Sequence, residues 1–305
     1  MANHHSNSGK ITLRAGSAAA IIFACLCSAA VVSADDPPAA ADSKPIDSTT
    51  VTAVKDRAAI EREVRTFVSA IAVKPGDESL ARWQPQIPLC PLVAGMPGND
   101  GEYILSRISK AATAAGAPLA AEHCKGNLFV VVTSDPEGVI KAWSKRDVRM
   151  FGEETDQGGA KIREFFAASP VHVWYNPEFY QRDGTPLGNS EYRATGAGAS
   201  ASRLEINNYR ALSSVMVVLD TRRLKGVSYG QVAAYVAMVG LAQIRPEANV
   251  RQAPTILNLF AAEGKAPPGL TAWDVSFLKA MYTTRVTDRA QIAAIQSAMV
   301  QDVAP

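Results

Sequence analysis

One stretch constrains the fold more than any other: residues 213–244, SSVMVVLDTRRLKGVSYGQVAAYVAMVGLAQI. The unbroken apolar run 215–219 predicts a buried strand, because a strand covered on both faces shows no polar alternation. A short polar turn follows. Residues 228–244 then place Val232, Ala233, Ala234, Val236, Ala237, Met238, Val239, Leu241, Ala242 and Ile244 on nearly every side of a helix. A helix that is apolar all round belongs in a core. Its uncharged part is shorter than the ~20 apolar residues needed to cross a bilayer.

The first 34 residues have the three parts of an export signal. Lys10 and Arg14 form a basic beginning without an acid, residues 18–32 are apolar, and Val32-Ser33-Ala34 presents small residues for cleavage before Asp35. An uncleaved membrane anchor is the alternative. A lipid attached at Cys25 is disfavoured by Phe23, which is bulky where that signal needs a small residue. Cleavage after Ala34 would remove Lys10 and Arg14 and leave 29 basic side chains against 29 acidic ones. Such a chain has no basic field to hold phosphates, so nucleic acid is not an expected partner. No stable membrane span is expected after cleavage. Cys90 and Cys124 would be the remaining cysteines, and in an exported chain they predict one disulfide. Two buried free thiols are the alternative.

Residues 35–50, rich in Pro, Ala, Asp and Ser, read as a leader without a core. The rest is apolar enough for one large domain, 51–305. Apolar spacing predicts a helix over 54–73, with Ile60, Val64, Phe67, Val68 and Ile71 on one face. Pro88 and Pro91 make 86–94 an edge strand or extended loop. A helix is expected over 102–115, closed by Gly116, and a strand over 127–133. Asp135 then caps a helix with Pro136 in its first turn, ending near Lys145. Further on, the pattern suggests a helix over 160–168, a strand over 171–175 and a long polar loop over 176–202. That loop contains Tyr180 and Tyr192, which are candidate binding residues because long loops often carry function. The C-terminal part reads as short helices near 254–262, 271–283 and 287–301. Thr271 and Asp274 have capping-box spacing.

Gly226-Val-Ser-Tyr-Gly230 matches the GxSxG pattern of a serine nucleophile. Its context is wrong for an elbow, since six residues separate the strand from Val227, and His123 and His172 both precede Ser228. Ser228 fits a helix N-cap better, with Gln231 completing the box. His123 adjoins Cys124. His172 alternates with Val171 and Val173 and is expected to face out of its strand. Neither makes a metal site without a third partner. No cofactor fingerprint is present.

The helix and the segments after it resemble a secreted zincin-type metallopeptidase. The resemblance rests on SYGQVAAYVAMVGLAQI, on Pro254-Thr-Ile-Leu-Asn-Leu-Phe260 and on Leu270-Thr-Ala-Trp-Asp274 through Tyr282, about a quarter of the chain. Aligned on Gly240, the two histidine positions of HExxH fall on Ala233 and Ala237. The glutamate position falls on Ala234 and the third-ligand position on Gln243. Alanine can neither bind zinc nor activate water. An Ala-rich core helix matching by accident remains the alternative. The resemblance implies an α+β fold with a mixed sheet, a buried central helix and a helical C-terminal part. The expected function is an exported, non-catalytic envelope protein that binds an unknown protein or small ligand. A secreted hydrolase, through Ser228 or unrecognised metal ligands, and an apolar-ligand carrier are the alternatives.

Overall fold

The computed structural model describes residues 48–73, 80–146, 169–181, 184–187, 208–261, 266–285 and 290–304. In chain order these form α1 (Ser48–Ile71), β1 (Pro91–Ala94), α2 (Gly98–Ala115), β2 (Leu128–Thr133), α3 (Pro136–Arg146), β3 (Val171–Gln181), β4 (Pro186–Leu187), β5 (Asn208–Asp220), α4 (Tyr229–Leu241), α5 (Ala272–Thr283) and α6 (Ala290–Val303). Two short 3-10 turns, Thr221–Arg223 and Ile256–Phe260, follow β5 and precede α5.

The five strands make one mixed sheet in the order β1-β2-β5-β3-β4. β1, β2 and β5 run parallel, while β3 is antiparallel to β5 and β4 to β3. Register places Leu128 beside Val215, Val130 beside Val217, and Val171 beside Leu219. Side chains alternate along a strand. These six point into the main core, whereas Met216, Val218 and Trp174 point the other way and pack with Ile140 of α3. Both faces of β5 are therefore covered, which is why 215–219 is continuously apolar.

α4 lies on the main-core side against α2, β5 and the Ile256–Phe260 turn. Every residue from Val232 to Leu241 is buried. Gly240 permits its close approach to β2, since a Cβ there would come 3.0 Å from the side chain of fully buried Leu128. The helix stops at Leu241, three residues before the expected end. The following backbone is engaged elsewhere: Gln243 N–H donates to Ala81 O at 3.0 Å and Arg245 N–H to Ile71 O at 2.8 Å.

A helix end inside a core leaves carbonyls that water cannot reach. Here three side chains from three separate segments supply donors. Tyr175 Oη donates to Val239 O at 2.8 Å, Trp83 Nε1 to Gly240 O at 2.8 Å, and Tyr282 Oη to Leu241 O. The segment carrying Trp83 also ties the C-terminal helices together. Arg82 donates to Met281 O and, at 2.9 Å, to Thr284 O at the end of α5. Leu80 N–H donates to Gln291 Oε1 of α6 at 2.7 Å.

The disulfide Cys90–Cys124 is present, joining the approach to β1 with the approach to β2. Asn127 fixes the same corner, accepting from Cys90 N–H at 2.7 Å and donating to Pro88 O at 3.0 Å. Gly116 closes α2 at φ 80°, a left-handed conformation that suits glycine. Pro91 and its neighbours do form an edge strand, and Asp135 accepts from Gly138 N–H as the α3 cap.

Several boundaries differ from expectation. α1 begins at Ser48, inside the stretch read as a leader. The loop expected from 176 starts later, because β3 continues to Gln181 across an irregularity at Asn176/Pro177 and then pairs with β4. The expected helix at 160–168 lies outside the described residues.

The Tyr175 hydroxyl gives a direct test of the helix-end argument. Tyr175→Phe keeps the ring but leaves Val239 O buried without this donor, so stability should fall by about 1–3 kcal/mol in chemical denaturation.

Candidate functional site

The site suggested by the zincin resemblance is the middle of α4. Ala233 and Ala237 are each 1% exposed and Ala234 is 7% exposed. All three are part of the main core cluster. These positions face packed side chains, so they have neither a donor atom nor room for a ligand. Gln243 is past the helix end. It is buried, and its Oε1 makes no hydrogen bond. Among the described residues no group of three or more His, Cys, Asp or Glu side chains is placed to hold a metal ion.

Ser228 sits at the start of α4, and its hydroxyl is occupied by capping. Its Oγ accepts from Gln231 N–H at 3.2 Å, and Gln231 Oε1 accepts from Ser228 N–H at 3.0 Å. The Gln231 amide also donates to Pro267 O at 2.9 Å, so the cap anchors the loop before α5. Neither described histidine is brought to this serine. His123 is exposed at φ 60° beside Cys124. His172 alternates with Val171 and Val173 as expected, but it is buried rather than exposed, because its sheet face is the one α3 packs on.

Tyr180, expected in a binding loop, is instead a buried residue of β3. Its ring stacks on Tyr209 with centroids 5.9 Å apart, and its hydroxyl donates to Glu178 Oε2 at 2.9 Å. Burial, then the Glu178 carboxylate, push its phenol pKa well up. Tyr192 lies outside the described residues.

Three polar groupings were not anticipated. The first is the set of donors on the α4 end. Burial pushes the Tyr175 phenol well above its ordinary value, with the Ile244 amide pulling back. Burial likewise draws the Arg82 guanidinium below its ordinary value. The second is Asp274, which is completely buried. It accepts from Thr255 Oγ1 at 2.5 Å, Ile256 N–H at 2.8 Å, Thr271 N–H at 2.8 Å and Thr271 Oγ1 at 2.9 Å. The capping-box spacing foretold the Thr271 bonds only, since Thr255 and Ile256 come from a different turn. Burial pushes its carboxyl above the ordinary value, and the four donors oppose that rise.

The third is a cleft of about 210 Å³ between α5 and α6, lined by Ser276, Lys279, Ala280, Thr283, Ala298, Gln301 and Asp302. The spacing of Ser276, Lys279 and Thr283 puts them on one helix face and could have been noticed. What that face meets depends on the α6 packing, which spacing does not reveal. A second cleft, about 200 Å³, lies between α1 and α6.

Neither protein-family models, nor curated proteins, nor solved structures match this chain.

Two outcomes follow for these residues. Ser228→Ala should cost about 1 kcal/mol of stability, the usual loss for a cap, and full-length protein should show no Ser228-dependent labelling by a fluorophosphonate probe. Asp274 should make stability depend on pH. Its folded-state pKa is above the ordinary 3.8, so its contribution is greatest below that value and is lost as pH rises through the folded pKa. Denaturation curves across this window should slope downward with pH more steeply for the wild type than for Asp274→Asn.

Proposed function

We propose that the chain is an exported, non-catalytic protein that uses a zincin-like framework for binding or for a structural role in the bacterial envelope. The observation that carries this reading is the state of the central helix. The positions that would bear the two zinc-binding imidazoles and the general base are Ala233, Ala237 and Ala234, and they are packed into the core. The order of elements is compatible with the framework: a mixed sheet, an antiparallel strand next to β5, a buried helix directly after β5, and helices to the end of the described chain. The segments Pro254–Phe260 and Leu270–Tyr282 carry the rest of the resemblance, and Asp274 links them by hydrogen-bonding to both.

Export rests on Lys10, Arg14, the apolar run 18–32 and the small residues ending at Ala34. The disulfide supports it, because such bonds persist in oxidising compartments. None of the described helices is long and apolar enough to cross a membrane.

The test is metal analysis of protein purified from the periplasm after zinc supplementation, together with a peptidase assay. The expected result is no stoichiometric zinc and no activity. Bound zinc that disappears on replacing His123 or His172 would overturn the reading and place a metal site away from α4.

A further inference from the structure

We infer that the cleft between α5 and α6 is a binding site for a small zwitterion of the amino-acid class. The first observation is a buried hydroxyl with nothing to bond to. Ser276 is 2% exposed, it lines the cleft, and its Oγ has no hydrogen-bond partner. Buried polar groups are normally satisfied, and one left open at a cleft wall points to a missing partner. The second is the pairing of charges around that wall. Lys279 on α5 and Asp302 on α6 line the same cleft, and among the described residues neither side chain forms an ion pair. Had they bridged each other, the cleft would be closed by its own charges. Instead its lining holds one cation, one anion and a hydroxyl, together with the Gln301 amide.

This set of groups matches a small molecule bearing both charges. Its carboxylate would meet Lys279 and the Ser276 hydroxyl, and its ammonium would meet Asp302. A volume of about 210 Å³ suits a solute of that size and is too small for a folded segment. Thr283 bonds back to Lys279 O at 2.8 Å, which shapes the wall without using its acceptor capacity. Ala280 and Ala298 leave the space a larger residue would fill. The site gives a ligand class to the binding role proposed above, but its geometry does not depend on the zincin-like reading. The two can fail separately.

The test is isothermal titration of the full chain with the twenty free amino acids at millimolar concentration, each alongside its carboxamide and N-acetyl derivative. At least one free amino acid should bind one-to-one. Its carboxamide, lacking the carboxylate, and its N-acetyl form, lacking the ammonium, should each bind at least about tenfold more weakly, the scale of one lost charge-assisted contact. Lys279→Met and Asp302→Asn change exposed side chains, so both should fold with an unchanged melting temperature and lose affinity by a similar factor. Ser276→Ala should weaken binding without lowering the melting temperature, because it removes an unsatisfied group. Failure of every amino acid to bind would overturn the inference. So would binding that persists in the Lys279→Met/Asp302→Asn double variant, or an N-acetyl derivative that binds as well as its parent.

Discussion

The structure depends on burying the end of one helix. α4 carries no charge along its length, and its last turn is inside the protein. Three carbonyls there, of Val239, Gly240 and Leu241, would each lose their hydration with nothing in return. Tyr175, Trp83 and Tyr282 supply the donors, and each comes from a different part of the chain. Satisfying a helix end with aromatic side chains achieves two things together. The rings add apolar bulk to the core and the polar tips close the hydrogen-bond account. The segment 80–84 is held by this arrangement and in turn holds α5 and α6 through Arg82 and Leu80.

The same packing bears on chemistry. A helix that offers groups to a substrate must leave one face open, and α4 leaves none between Val232 and Leu241. Ala233 and Ala237 are each 1% exposed, so histidines placed there would be two buried imidazoles rather than a site. Buried polar groups are found instead in the helical C-terminal part. There Asp274 organises two turns with four hydrogen bonds, and Ser276, two residues on, remains unsatisfied beside a cleft.

Much of this was legible in the sequence where the signal is local. The continuous run 215–219 announced a strand covered on both faces, Ser228 and Gln231 announced the start of α4, and two cysteines announced their bond. Gly116 and Asp135 marked helix ends for reasons confined to a few residues. The misplaced features are those decided by distant partners. Nothing within 241–244 says that the helix should stop, because the competing acceptors are Ala81 O and Ile71 O. His172 alternates as an outward residue should, yet α3 covers its face. Tyr180 looks like a loop aromatic until Tyr209, on another strand, is placed against it. The candidate cleft was missed for the same reason, since three of its seven lining residues belong to α6.

The separations spanned by these contacts have a consequence for how the protein is made. Trp83 reaches a carbonyl 157 positions further on, Arg82 one that is 199 positions away, and Leu80 a side chain 211 positions away. Chain emerging in order from the ribosome holds the first half of each pair long before the second exists. Contacts of such long range form late, after the closing entropy of the intervening loop has been met. The N-terminal segment that locks the architecture must therefore wait, still unlocked, for the final helices to arrive.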